Sequence, residues 1–409
     1  MPNSLKENSK LNFGIVSSVD ESCGNASFTQ IIIDSLNETG HSTTGVPLNL
    51  KLTQSSDPQL VKVANEHIHQ VSKALKEFDA VNIQYEPGLY GPSAGLIYKR
   101  LKVLLTSSNR CVVTIHSTRL FTSNNEKLLR QTLKYLARFQ LRRAIGYFTI
   151  VKNQQRVAKD NRRVISLFVR HSAKLIVHTR HSQDLIKEFW KYEDVHVHPL
   201  KFVKPGEHSG NRSKWFSKYD LDESDILIGI FGYVSKYKGH ETALEALKQL
   251  PSNYKLVIAG RQHPQSIREH TEVDSFIEGL LTKIADYSKI EKNFSTRIIF
   301  VNELEHREFC DLAASVDYAW LPYLEVGQDG SGIASILLEL SQSVVASNAK
   351  SFDELFALEP GYKCERFDIG NYLELASKTR RYEERRNLNN LLYSVDSQRK
   401  LYLELLSTK

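Results

Sequence analysis

Leu321–Ser347 reads LPYLEVGQDGSGIASILLELSQSVVAS, and the way this stretch folds decides the way the chain folds. It opens on the end of an apolar run (318–321), breaks at Pro322 and crosses a loop holding Gly327, Gly330 and Gly332. It then reads as a helix from Ile333 to Leu340 and ends in the β-branched Val344-Val345-Ala346. Three glycines in six residues allow backbone to come close to a ligand. Ser331 is a good N-cap, so the helix is expected to turn unpaired N–H groups and a partial positive charge toward the loop. Such an end attracts anions, above all phosphate. The other reading is a glycine-rich connection with no ligand.

Upstream of this stretch runs a series of strands and helices. Ile226 to Phe231 reads as a strand, followed by the loop 232–239 (GYVSKYKG) and a helix from His240 to Leu250. Tyr254 to Ala259 is a strand ending at Gly260, and Arg297 to Val301 is another. Before them, residues 200–225 are polar and carry Pro205, Gly206 and Gly210, the composition of a linker. The N-terminal half repeats the alternation. Strands are expected at 10–17, 79–85, 110–115, 175–178 and 195–198, with Gly24 in the loop after the first. Glu86 follows the strand 79–85, and His116 the strand 110–115. Two such series make two doubly wound parallel sheets, and ligands of such sheets sit at the carboxyl ends of the strands. A ligand is therefore expected in a cleft between the halves. The boundaries expected are 1–200, a linker at 201–224, 225–375, and a charged helical tail, 376–409, returning toward the N-terminal domain.

A length of 409 residues fits two or three domains, and 41% hydrophobic with 25% charged residues supplies two cores. Cys23, Cys111, Cys310 and Cys364 show no paired spacing, which argues against a disulfide framework and a zinc site. No signal peptide and no membrane span is expected, and a cytoplasmic location follows. The net charge of +7 is local. Between Glu126 and Arg170 twelve basic residues face Glu126 and Asp160 alone, so this segment carries +10 and the rest −3. From Glu126 to Gly146 it reads as one long helix with an apolar stripe at Leu129, Leu133, Leu136, Leu141 and Ala144. Arg130, Lys134, Arg138, Arg142 and Arg143 flank the stripe, as cations do in helices lying on anionic lipid. The bland reading is a solvated face. Nucleic acid is not expected as a partner, because no recognition motif accompanies the charge.

Taken together, Phe231-Gly232, Lys238-Gly239, Ile258-Ala259-Gly260, Ser331-Gly332 and Val344-Val345-Ala346 are spaced as in glycosyltransferase family 4. Residues 23–29 (CGNASFT) and 113–116 (VTIH) resemble that family's first loop and its strand ending in histidine. The resemblance covers nearly the whole chain. It implies a GT-B fold, two Rossmann-like doubly wound parallel-sheet domains facing a cleft, and transfer of sugar from a nucleotide-diphosphate sugar with retention. Lys238 would contact the donor diphosphate, which the backbone of Gly330, Ser331 and Gly332 would hold. Gly24 would let acceptor and phosphate approach the first strand, and His116 would lie beside the transferred sugar. Gly232 and Tyr233 would line the donor site, while Gly260, Asn302 and Glu303 would border the base. The chain departs from the family at two places. Tyr233 stands where an arginine is usual, and Gln328 and Ile336 replace the usual glutamate pair, as in a branch with Ser-Gly there. Glu339 reads as a helix-surface residue.

Losing a nucleoside diphosphate from an anomeric carbon builds charge on the phosphates, and preorganised donors stabilise it best. Lys238 plus a helix N-terminus fits this task with no metal and no cofactor. Retention would follow from front-face attack. A two-carboxylate scheme needs Glu86, Glu325 or Asp329 at the sugar, and the latter two otherwise serve as acceptors for sugar hydroxyls. The expectation is a retaining glycosyltransferase acting on a glycan or lipid-linked acceptor, with a peripheral position on the membrane, in surface polysaccharide or glycoconjugate synthesis. Two other readings remain at this point: a catalytically inactive GT-B subunit that binds a nucleotide-sugar or a partner protein, and a nucleotide-sugar epimerase.

Overall fold

The computed structural model describes residues 10–19, 21, 23–108, 110–120, 125–204, 206–262, 274–302, 304–324, 330–359, 364–381 and 391–408. They form two compact units: Met1–Pro199 with Asp396–Lys409, and Leu200–Val395.

The first unit is built on six strands, β1 (Asn12–Ser17), β2 (Ser42–Pro47), β3 (Ala80–Tyr85), β4 (Cys111–Ile115), β5 (Lys174–Val177) and β6 (Val195–Val197). All pair in parallel, in the order β2-β1-β3-β4-β5-β6. The chain reverses direction across the sheet between β1 and β3, and that switch is where a doubly wound sheet opens a crevice at its carboxyl ends. Alternation along the strands sends Val81, Ile83, Tyr85, Val113 and Ile115 into one apolar core. On the opposite face Asn82, Gln84 and Thr114 are buried. Here the last helix, Val395–Ser407, covers the sheet, and its Tyr402 hydroxyl meets the Thr114 hydroxyl at 2.7 Å. Lys174 fastens the end of that helix by donating to the Leu405 carbonyl.

The basic segment differs from its expected form. Instead of one helix over 126–146 there are two, Asn125–Ala137 and Leu141–Arg170. Phe139 reverses the chain between them with φ of 53°. No glycine or proline marks that break, and the left-handed turn is carried by an aromatic residue.

The second unit has β7 (Ile226–Phe231), β8 (Tyr254–Ala259), β9 (Ile298–Val301), β10 (Tyr318–Leu321), β11 (Ser343–Ser347) and β12 (Glu365–Phe367). The order β9-β8-β7-β10-β11-β12 is, numbered within this unit, 3-2-1-4-5-6, the dinucleotide-fold arrangement. Both faces are covered, so the strands are apolar on both sides. Leu227, Phe231, Val257 and Ala259 enter one core, while Ile228, Ile230, Leu256 and Ile258 enter the other. Within the stretch read as linker, the helix Arg212–Lys218 buries Trp215 and Phe216 against the first of these cores. Among the described residues no helix is long and apolar enough to cross a membrane.

Candidate functional site

In the second unit the switch point lies between β7 and β10, so the loops after these two strands bound the crevice. The loop after β7 carries Gly232, Tyr233 and Lys238. The loop after β10 leads into the helix Gly332–Leu340, whose N-cap Ser331 accepts from the Ala334 N–H at 3.2 Å. Backbone ties the two loops together, since the Leu324 N–H donates to the Tyr237 carbonyl at 2.7 Å.

Lys238 is 2% exposed, so it is not a solvated loop lysine. Its ammonium donates to the Tyr323 hydroxyl at 2.6 Å and to the Phe231 carbonyl at 3.2 Å. An ammonium has three N–H groups, and among the described residues nothing accepts the third. Burial holds its pKa below an ordinary lysine's, with Tyr237 pulling it back up. Tyr323 in turn meets the Ser331 hydroxyl at 3.3 Å, and burial pushes its own pKa well up, so it stays protonated. Gly232 has φ of +86°, and a Cβ there would lie 2.9 Å from Lys238 Nζ and 3.1 Å from Ile333 Cγ1. The bare face of Gly232, the ammonium and the first turn of the helix therefore meet at one point. A buried cation and a helix N-terminus converging this way make a place for an anion.

Packing accounts for other features of this half. A Cβ at Gly332 would strike the Phe202 ring at 2.8 Å, so that glycine answers to packing. Gly260 backs onto the Gly232 carbonyl, and Asn302 is exposed at the end of the edge strand β9. Gly330 directly precedes the N-cap. Glu303, Glu325 and Asp329 lie outside the described residues. Glu339 is not a surface residue: it pairs with the buried Lys201 at 2.8 Å and so fastens the far end of the helix. Lys201 also approaches the fully buried Glu359, at 3.9 Å.

In the first unit Gly24, Glu86 and His116 follow β1, β3 and β4, three neighbouring strands. Among the described residues nothing lies within 4 Å of a Cβ built on Gly24, which begins a helix whose end has no side-chain cap. Glu86 is half-buried. His116 has both ring nitrogens engaged: Nε2 meets Gln84 Oε1 at 2.7 Å and Nδ1 meets His178 Nε2 at 3.2 Å. His178 Nδ1 donates to the His198 carbonyl at 2.9 Å. Burial, and then the His178 ring, push the His116 pKa well down. A sugar hydroxyl would have to displace Gln84 or His178 to bond this ring. Arg130, Lys134, Arg138, Arg142 and Arg143 are all exposed, on the two helices described above. Among the described residues no three His, Cys, Asp or Glu side chains are grouped to hold a metal ion.

No known family profile matches the sequence, and no curated protein matches it. Solved structures do. HepE from Anabaena, in complex with UDP and glucose, aligns with a TM-score of 0.62 at 15% identity, over 98% of this chain and 100% of that one. A UDP-forming α,α-trehalose-phosphate synthase from Burkholderia xenovorans aligns with a TM-score of 0.60 at 12% identity, over 98% and 100%. Sucrose-phosphate synthase from Thermosynechococcus elongatus gives 0.59 at 15% identity, over 91% and 89%.

The chain has the GT-B fold. Identities this low speak for the fold alone. Within the fold the structure adds three side chains that the sequence did not single out. Tyr323 joins Lys238 to the helix cap. His178 holds His116. Arg261 places its guanidinium 5.9 Å from the centre of the Tyr233 ring, bringing a cation to the residue where the resembled family carries its arginine. The one signal for Arg261 was its place directly after Gly260.

Proposed function

We propose that this protein is a retaining glycosyltransferase of the family 4 type, moving a sugar from a nucleoside-diphosphate donor to a glycan or lipid-linked acceptor. One observation carries the proposal: Lys238, bare Gly232 and the first turn of Gly332–Leu340 converge at the switch point of the second sheet. That is where the diphosphate would sit. Support for a uridine donor comes from HepE, whose structures hold UDP and UDP-glucose.

In the reaction the bond from the anomeric carbon to the diphosphate oxygen breaks, and a bond to the acceptor oxygen forms on the same face. The acceptor's proton passes to the departing phosphate oxygen. Lys238 and the helix N–H groups neutralise the charge growing there, a task for which preorganised donors are worth about two to three orders of magnitude in rate. We propose that no metal takes part. Gly24 and Glu86 would receive the acceptor side, with His116 setting the shape of that wall. Assembly of a surface polysaccharide or glycoconjugate is the role that fits.

A second reading has an observation of its own. Tyr233 replaces a cation and both nitrogens of His116 are occupied, which suits a subunit that binds a nucleotide-sugar without turning it over. Incubation with UDP-, GDP-, ADP- and dTDP-sugars, with release of nucleoside diphosphate as the readout, separates the two. Release that depends on acceptor supports the enzyme. Binding without release supports the inactive subunit, and release without acceptor supports an epimerase.

A further inference from the structure

Among the described residues, half of the large apolar side chains left exposed fall between Leu129 and Val157. The helices Asn125–Ala137 and Leu141–Arg170 form a hairpin, closed by Tyr135 stacked on Tyr147 at 5.4 Å. Its seam is thin: Thr132, Ala144 and Val151 are the buried positions between 128 and 157. Leu129, Leu133 and Leu136 stand at i, i+4 and i+7, and Leu141, Ile145 and Phe148 repeat that spacing. Each triplet is therefore one helix face, and both faces are uncovered. In a globular protein such stripes face the core. Here Leu133 is 65% exposed, Ile145 64%, and Phe139 at the tip 90%.

The charge on the same surface is of one sign. From 128 to 159 there are eight lysines and arginines and no aspartate or glutamate. We propose that this hairpin docks on an anionic lipid bilayer. Phe139 and the two apolar triplets enter the interface, while Arg130, Lys134, Arg138, Arg142 and Arg143 meet lipid phosphates. Cations interleaved with apolar side chains are what such an interface accepts. A nucleic acid would satisfy the cations and leave the leucines and phenylalanines in water. An acidic protein would need carboxylates and apolar pockets registered along both helices, whereas lipid adapts to any arrangement. The proposal does not rest on the sugar-transfer reading, and its test uses no donor.

The full chain is sedimented with vesicles of phosphatidylcholine alone and with equimolar phosphatidylcholine and phosphatidylglycerol. Binding is expected to the second composition only. Combined Leu133→Gln, Phe139→Ser and Ile145→Gln should weaken it at least about tenfold, with an unchanged melting temperature because these side chains are exposed. Arg138→Glu with Arg142→Glu and Arg143→Glu should abolish it. Phe139→Trp should shift its emission to the blue on the anionic vesicles. Unchanged vesicle binding by the apolar variant would overturn apolar insertion. So would displacement of the protein from vesicles by a short RNA at equal phosphate concentration, or self-association that the apolar variant loses in the absence of any vesicle binding.

Discussion

The Lys238 ammonium donates to the Tyr323 hydroxyl at 2.6 Å, and that hydroxyl lies 3.3 Å from Ser331, the N-cap of Gly332–Leu340. A buried cation is thereby connected through one phenol to the end of a helix dipole. Tyr323 accepts from the lysine, and between its hydroxyl and that of Ser331 either can be the donor. The Ser347 hydroxyl holds the tyrosine from behind, donating to its carbonyl at 2.7 Å.

Tyr323→Phe removes the acceptor and keeps the ring. A buried ammonium losing a partner costs about 1–3 kcal/mol, so the variant should melt several degrees lower. Diphosphate should restore much of that loss on binding, because its oxygens can replace the missing acceptor. A denaturation series with and without nucleoside diphosphate checks this, and an equal ligand-induced rise in both proteins would speak against it.

Gly232→Ala puts a Cβ within 2.9 Å of Lys238 Nζ at a φ of +86°. Left-handed backbone alone costs a non-glycine residue about 1–2 kcal/mol, and the ammonium must also move. Stability should fall by that amount and diphosphate binding should fall further than stability accounts for. Calorimetric titration of folded variant at low temperature separates the two effects.

Acid should destabilise the second unit through His240. This side chain is fully buried, and burial, followed by the Lys238 charge, pushes its pKa down to about 4 from 6.5. The unfolded chain binds the proton near pH 6.5 and the folded chain refuses it, so stability present above that pH is lost as pH falls toward 4. The full loss is about 3–4 kcal/mol. Melting temperature followed from about pH 7 to about pH 5 should fall in the parent and fall less in His240→Asn. Parallel curves would contradict this.

Arg261 sits over Tyr233, where its guanidinium would offer a bound diphosphate a second cation. Arg261→Gln should weaken diphosphate binding about tenfold, the worth of one charge-assisted hydrogen bond. Adding Tyr233→Arg should recover most of it. Titration of both variants is the check, and no change in the first would remove Arg261 from the site.

Much of this architecture is written in the sequence because buried parallel strands are near-continuous apolar runs. ILIGIF at 226–231 and YKLVIA at 254–259 can hardly be read otherwise. The edge strand Ser42–Pro47, STTGVP, is half-exposed and carries no such run, so its sequence does not mark it as a strand. Lys238 and Ser331 were legible from their spacing around glycines. Tyr323 was not, because a tyrosine behind Pro322 looks like loop. The pairing of Lys201 with Glu339 has no local signal, since its partners are far apart in sequence. Nor does the break at Phe139, where the composition favours an unbroken helix.

The most direct test is isothermal titration of UDP, GDP, ADP and dTDP into the parent protein and into Lys238→Met. Methionine fills a similar volume without charge, so the fold should persist; circular dichroism confirms it. The account predicts that at least one diphosphate binds the parent, and that the variant binds it about a hundredfold more weakly, as loss of a buried charge-assisted contact requires. Equal affinity in the two proteins, or no binding of any diphosphate to the parent, would contradict it.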